Sequence, residues 1–494
     1  MFCLLPGPAL RFRPGPSLLD ALAEDRERGL SQNGSGFRRY HIESREAPDL
    51  FPHPSRFRVR VKKHRLVAMV LHELLFEYRR QPQVALSRPC VYGVFGRIVG
   101  GLWPRHELCV GCLRCTTQYP GVVQIVPNAR RLRLGDAYLT PDLVDTILYE
   151  ARLGRVPVRG AGYRGAFGGE GWDGMWTDMS EIVRPTRDGI HGREFISTSV
   201  DLGGRPPHLR FDDAGQPLGP LPQLLSLDLP YLFDVPPDCL RSAALGRLLT
   251  RAAQGVRSLA ILPLADVIEQ RLEERAVAPL LGPAELDLAT RLSRPPLLLE
   301  LDGWNGSAFR TLTQRFPETV VTVRLPLGTD LVSLVREGVR SFHVTADYHG
   351  QAGGRFVMDL IREAHESLVT AGVREEVSLV GSGGIVAAEH VPKAILSGLD
   401  AVAIDTALWV ALQARFAGEI RDRRSAQLSL PAFPEAWGAQ RLANLVAAWR
   451  DQLLEILGAM GLREVRRLRG ESGRCMFQRD LEAEAYAGIE GYVS

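Results

Sequence analysis

Three cysteines, Cys109, Cys112 and Cys115, stand at C-x-x-C-x-x-C spacing with Val-Gly and Leu-Arg between them. Thiolates three residues apart converge only where the backbone winds around a common centre, and Gly111 eases that winding. This is the spacing of an iron–sulfur ligand run; a zinc site and plain buried cysteines are the competing readings. In a ferredoxin-type run the next ligand would fall at Tyr119, ahead of the expected Pro120, so a remote cysteine must complete a four-iron (4Fe-4S) cluster. Cys90, within Arg-Pro-Cys-Val-Tyr-Gly, is the candidate. Without it the run would hold a three-iron (3Fe-4S) cluster. Cys3, Cys239 and Cys475 are isolated and read as structural.

A second set of residues lies far downstream. Gly381, Ser382, Gly383 and Gly384 form a turn between an apolar run and a helical pattern, and such a turn offers backbone N–H groups to a phosphate. A tight strand-to-helix connection would use the same glycines. Arg324 ends another apolar run, where it either stabilises the negative charge of a reduced flavin or substrate carboxylate, or pairs with Glu300 or Asp302. Asp347 and His349 share a loop, and an imidazole there can move protons near neutral pH or simply be solvated. Asp405 and Thr406 close the last apolar run and complete the candidate phosphate site.

These residues need a scaffold that gathers strand ends. Apolar runs at 229–234, 258–263, 277–281, 297–302, 320–325, 341–345, 377–380 and 401–404 alternate with helical patterns at 239–253, 265–275, 283–292, 307–315, 329–337, 355–371 and 388–397. That alternation predicts an α/β fold, a (β/α)8 TIM-type barrel over 226–420, with chemistry at the carboxyl ends of its strands. An open doubly wound sheet is the alternative, because the span is short for a fold that typically takes about 250 residues. Ahead of it we expect an extended N-terminal arm (1–55), a small ferredoxin-like iron–sulfur module (56–153) and a glycine-rich ordered connector (154–225) whose Tyr163, Phe167 and Trp172 argue for packing over a neighbouring site. Within the module, 67–78 reads as a helix and 141–153 as another, opened by Thr140 as N-cap and Pro141. A C-terminal helical segment (421–494) follows, with a long amphipathic helix from Ala439 to Gly461.

Composition narrows the function classes. The 494 residues are 45% hydrophobic and 24% charged with a net charge of +3, a soluble globular balance that makes no case for a nucleic-acid partner. Lysine occurs only at 62, 63 and 393, which we read as genome bias toward arginine. No run approaches the roughly 18 apolar residues of a membrane span, and the proline-broken N-terminus is no signal peptide. Seven cysteines, three tightly clustered, suit a reducing cytoplasmic compartment and a metal site.

Taken together, Val321-Thr-Val-Arg-Leu325, Gly338 through Asp347, Gly383-Gly-Ile385 and Lys393 through Ala407 resemble the FMN-binding domain of glutamate synthase and its short, ferredoxin-domain-containing relatives. Leu468-Arg-Gly470 and Met175 through Arg193 continue the resemblance. It implies an FMN- and iron–sulfur-dependent oxidoreductase subunit acting on an amino acid or 2-oxo acid, with electrons relayed through the cluster. FMN would be bound by Arg324, Gly381, Ser382, Gly383, Gly384, Asp405 and Thr406, with His349 and Asp347 catalytic. Implied partners are an electron-donor protein or reductase subunit, a separate amidotransferase subunit, since no N-terminal nucleophile cysteine is in place, a small-molecule substrate, and further copies in an oligomer. Arg324 stands where the family has lysine, and Asp234-Val-Pro-Pro237 where it has an Ala-Met-Ser-Phe-Gly turn. A non-catalytic barrel serving as scaffold or electron-transfer subunit is the alternative. A barrel for a phosphorylated metabolite would use the same turn but leave the cysteines without purpose.

Overall fold

The computed structural model describes residues 40–79, 81, 83–84, 90–96, 102–157, 168–177, 196–206, 208–218, 222–272 and 275–489. Tyr163, Phe167 and most of the Met175 to Arg193 stretch lie outside them. Eight parallel strands close into a barrel: β1 (Tyr231–Phe233), β2 (Ala260–Pro263), β3 (Val277–Leu281), β4 (Leu298–Asp302), β5 (Val320–Pro326), β6 (Ser341–Thr345), β7 (Ser378–Ser382) and β8 (Ala401–Ile404). The ring closes where β8 pairs with β1, Ile404 opposite Phe233. All eight fall on the apolar runs of the sequence. The open sheet is thereby excluded.

The barrel is short because its helices are. The helix after β2, Leu264–Glu269, and that after β5, Leu331–Arg336, have 6 residues each, and the one after β3, Leu286–Ala289, has 4. Two of the longer ones are capped by side chains: Ser242 accepts from Leu245 N–H and Asn305 from Ala308 N–H. A hairpin of Val200–Gly203 with Leu224–Leu227 closes the amino-terminal end, where Gly203 N–H donates to Ser378 Oγ at 2.8 Å. The carboxyl ends of the strands form the opposite rim.

The long C-terminal helix runs Glu435–Ala459 and buries Leu442, Leu445, Val446, Trp449, Leu453 and Leu457. It packs on helices Ala243–Gly255, Thr406–Ala411 and Pro141–Leu153. The last of these starts at Thr140 and Pro141 as read, yet it sits in the barrel's outer layer: Trp449 Nε1 donates to buried Glu150 at 3.0 Å. Residues 42–55 are extended but pinned, since fully buried Arg441 donates to Ala47 O and Asp49 Oδ1, both at 2.8 Å.

The cysteine segment hangs on a two-stranded antiparallel sheet, Phe57–Val61 against Val123–Pro127, with Val59 opposite Ile125. The helix read over 67–78 starts earlier, at Lys63, and ends as a wider turn, Glu73–Glu77. No helix among the described residues is long and apolar enough to cross a membrane.

Candidate functional site

Gly111 has φ +74 and its Cα faces the Phe57 ring so closely that a Cβ would lie 2.4 Å from it. Leu113 is also left-handed, φ 60, and opens the short helix Arg114–Gln118 that carries Cys115. These two reversals coil the run so that its three thiols face one side. From the other side, the turn at Cys90 is held by Gly93 N–H to Cys90 O at 2.9 Å and by Arg105, whose guanidinium donates to Gly93 O at 2.6 Å. Cys90, Cys109, Cys112 and Cys115 thus line one cavity of about 260 Å³, walled by Val59, Phe95 and Ile125. Tyr119 is packed against that same small core.

Burial pushes the Cys109 and Cys115 thiols up, and each is raised further by the neighbouring cysteines, Cys90 among them. Four like groups in an apolar cavity repel when ionised, and a metal is the counter-charge that would reverse this. The described residues whose ligand atoms gather within 4.8 Å are Asp136, His349 and Glu419, not the cysteines. A single zinc, with Zn–S of about 2.3 Å, needs its sulfurs within about 4 Å of one another. Four thiols lining one cavity are a donor set that would suit an iron–sulfur cluster or a zinc ion.

At the barrel's carboxyl rim, Arg324 is not free. Its guanidinium grips Asp234 at the end of β1 with both arms, 2.7 and 2.9 Å, and reaches Glu300 at 3.2 Å. Of the two carboxylates weighed from sequence, Glu300 is a partner, while Asp302 lies by Arg423 at 3.5 Å. Burial would raise the Asp234 carboxyl, but the Arg324 charge and hydrogen bonds bring it down to about 2. Glu300 continues inward to His343 Nδ1 at 2.8 Å, and His343 Nε2 meets Ser382 Oγ at 3.0 Å. Below them Thr322 and Ser341 hydroxyls pair at 2.8 Å. The interior of β4 to β7 is a polar column.

Gly381 to Gly384 forms the turn read from sequence. Its glycines answer first to packing: a Cβ on Gly383 would meet Ala346 O at 2.5 Å, and one on Gly384 would meet Gly350 Cα at 2.4 Å. Gly384 O accepts from Tyr138 Oη at 2.6 Å and from Trp172 Nε1 at 2.8 Å. Trp172 stacks on His390 and meets Phe356 edge-on, so this part of the connector does pack over the rim. Asp405 follows β8, and its carboxylate accepts from Gly383 N–H at 3.0 Å and from Thr406 N–H.

Asp347 and His349 are tied into the loop. Asp347 Oδ1 accepts from the N–H groups of His349 and Gln351, and His349 Nε2 lies 2.9 Å from Asp136 Oδ2. Asp136 also receives Tyr138, Leu139 and Ile420 N–H groups, which makes this a knot between the segment leaving the cysteines and the barrel loops. The structure therefore unites Arg324, the Gly381 to Gly384 turn, Asp405 and Thr406 at one rim, with His349 and Asp347 bound into its wall. Sequence reading missed Glu300 with His343 as an inward pair, Ser382 as its terminus, and Tyr138. Polar residues at alternate positions of β4 to β6 (Glu300 and Asp302, Thr322 and Arg324, Ser341 and His343) were the available signal.

Residues 346–419 match the model for the conserved region in glutamate synthase. An archaeal-type glutamate synthase [NADPH] of Dehalococcoides mccartyi is 25% identical over 442 residues, covering 74% of this chain and 86% of that one. An archaeal glutamate synthase [NADPH] of Methanocaldococcus jannaschii is 39% identical over 123 residues, 23% of this chain and 24% of the other. Among solved structures, a flavocytochrome b2 variant with sulfite bound aligns at TM-score 0.39 and 10% identity, covering 65% of this chain and 93% of that one. The conserved region spans the β6 loop, β7 and β8, which carry the glycine turn, Asp405 and Thr406 of the rim. The chain is thus similar to an archaeal-type glutamate synthase over most of its length and carries the conserved region of glutamate synthases at residues 346–419.

Proposed function

We propose that the chain is an oxidoreductase subunit of glutamate synthase type, with an iron–sulfur cluster on Cys90, Cys109, Cys112 and Cys115 and a flavin, FMN, at the barrel rim. The observation that carries this reading is that Cys90 joins the Cys109, Cys112 and Cys115 run in lining one cavity, in a chain whose barrel is glutamate synthase-like. A cluster bound there would supply one-electron transfer, and FMN would supply the exchange of electrons with a substrate of amino acid or 2-oxo acid type. Val59, Phe95 and Ile125 give the thiols an apolar wall. Arg324, fixed by Asp234 and Glu300, holds positive charge at the rim, and His343 can hold a proton between Glu300 and Ser382. The turn and Thr406 supply backbone donors, though Asp405 already engages two of them. The relatives' NADPH supports a reductase subunit or carrier protein as electron source, and a separate amidotransferase subunit as the source of ammonia.

A second reading, an electron-transfer or scaffold subunit with a degenerate flavin site, is favoured by one observation: Arg324 is engaged by Asp234, a residue standing in the family's Ala-Met-Ser-Phe-Gly turn. Anaerobic purification with assays of iron, acid-labile sulfide and flavin separates the two. Iron with flavin supports the enzyme, iron without flavin supports the scaffold, and neither cofactor overturns both.

A further inference from the structure

The ends of β7 and β8 lie side by side at the rim, Gly381 opposite Val402. Just beyond them the N–H groups of Gly383 and Thr406 converge on one carboxylate, that of Asp405. The Thr406 hydroxyl beside them is also buried and makes no hydrogen bond. Gly383 sits at φ +94 under Ala346 O, so its backbone is fixed in the conformation that presents its N–H. Convergent amides after the seventh and eighth strands of a barrel are suited to a phosphate group. Here an anion already occupies them, and it is part of the chain.

The surroundings make this occupant a poor neighbour for a second anion. Asp405 is 2% exposed, and burial together with the Asp234 charge on adjoining β1 pushes its carboxyl up to about 7. Tyr138 and Tyr348, both raised by burial and by the Asp405 charge, close in from the segments above the rim. A phosphate brought alongside an ionised Asp405 would meet like charge in a dry setting.

We infer that Asp405 is an internal competitor for the flavin phosphate: carboxylate and phosphate take the same two amides in turn, so that FMN is an exchangeable ligand of this chain rather than a resident one. This rests on the flavin reading of the rim given above. Riboflavin, which lacks the phosphate, has no claim on those amides and is indifferent to Asp405.

The test is titration of the full chain with FMN and with riboflavin, followed by flavin fluorescence, in wild type, Asp405→Gly and Asp405→Asn. Glycine empties the seat; asparagine fills it but removes the charge. FMN affinity is expected to rise at least tenfold in Asp405→Gly and by less in Asp405→Asn, with riboflavin affinity equal in all three. Should the glycine variant not fold, a gain for FMN alone in the asparagine variant still upholds the competitor. Equal FMN affinity in wild type and the folded variants overturns it, as does wild-type protein that keeps stoichiometric FMN through desalting. Binding of neither flavin by any of the proteins overturns the flavin reading itself and the competitor with it.

Discussion

Asp400 leads into β8 and Asp405 leads out of it, and both are buried, yet the protein treats the two carboxylates in opposite ways. At the amino-terminal end, burial pushes Asp400 up, but Arg374, Arg469 and Arg205 pull it down to about 2. Arg374 donates to it at 2.8 Å and Arg469 at 2.9 Å, and Leu379 N–H at 2.8 Å completes its shell. At the carboxyl end, burial and Asp234 drive Asp405 the other way, and its hydrogen bonds come from backbone N–H groups. One end of the strand is built as a finished ion-pair network. The other is built from donors that a separate anion could equally use. Structure is secured below and ligand chemistry is left to the rim, as expected of this fold.

The largest effect should come from breaking the finished end. Asp400→Ala leaves Arg374, itself buried, without its counter-charge, and removal of one partner of a buried pair costs about 3–5 kcal/mol. Urea unfolding should show that loss; a change below about 1 kcal/mol would mean the network is not what holds this end. At the rim the sign reverses. Because the folded Asp405 value, about 7, lies above its usual 3.8, the carboxyl's stabilising contribution is complete below about pH 4 and is lost as pH rises through 7. Wild-type stability relative to Asp405→Asn should therefore fall by about 3 kcal/mol between about pH 4 and pH 8. Parallel stability curves for the two proteins would contradict that account.

The cysteine cavity extends the comparison, since Cys109 is also buried beside like groups, and the proposed cluster would be their counter-charge. Cys90→Ser should lower iron from about four to about three per chain, with the corresponding change in the low-temperature electron paramagnetic resonance spectrum. Unchanged iron would rule Cys90 out as a ligand. The smallest effect is expected for Tyr138→Phe, which removes one of two donors from Gly384 O and should cost about 1 kcal/mol in a thermal or denaturant melt.

Much of the scaffold was legible because it is written in runs. Each barrel strand is apolar on its barrel-wall side and flanked by helix patterns, so eight strands could be placed without knowing which pair. Helix lengths were less legible: the segment read as 265–275 stops at Glu269, since Gln270 and Arg271 turn the chain, Arg271 with φ 56. The site was legible by position and not by partner. Arg324, Asp405 and the glycine turn were found because they end strands. That Arg324 would take Asp234 depends on β1 and β5 facing each other across a closed barrel, and that Asp405 would turn back onto Gly383 depends on its backbone, φ -113 and ψ -94. Spacing along the chain carries neither. Cys90 was the candidate for the remote ligand, and it lines the same cavity as Cys109, Cys112 and Cys115.

Tyr138 and Trp172 reach Gly384 O from two segments that both precede the first barrel strand in the chain. During synthesis, then, both donors leave the ribosome well before the turn that needs them, and residues 346–350, which press on its glycines, emerge between the donors and the turn. The barrel is not an independent folding unit that a shortened chain beginning at β1 would reproduce. Its rim sets only when early and late parts of the chain lock together, so the two should melt in a single cooperative transition.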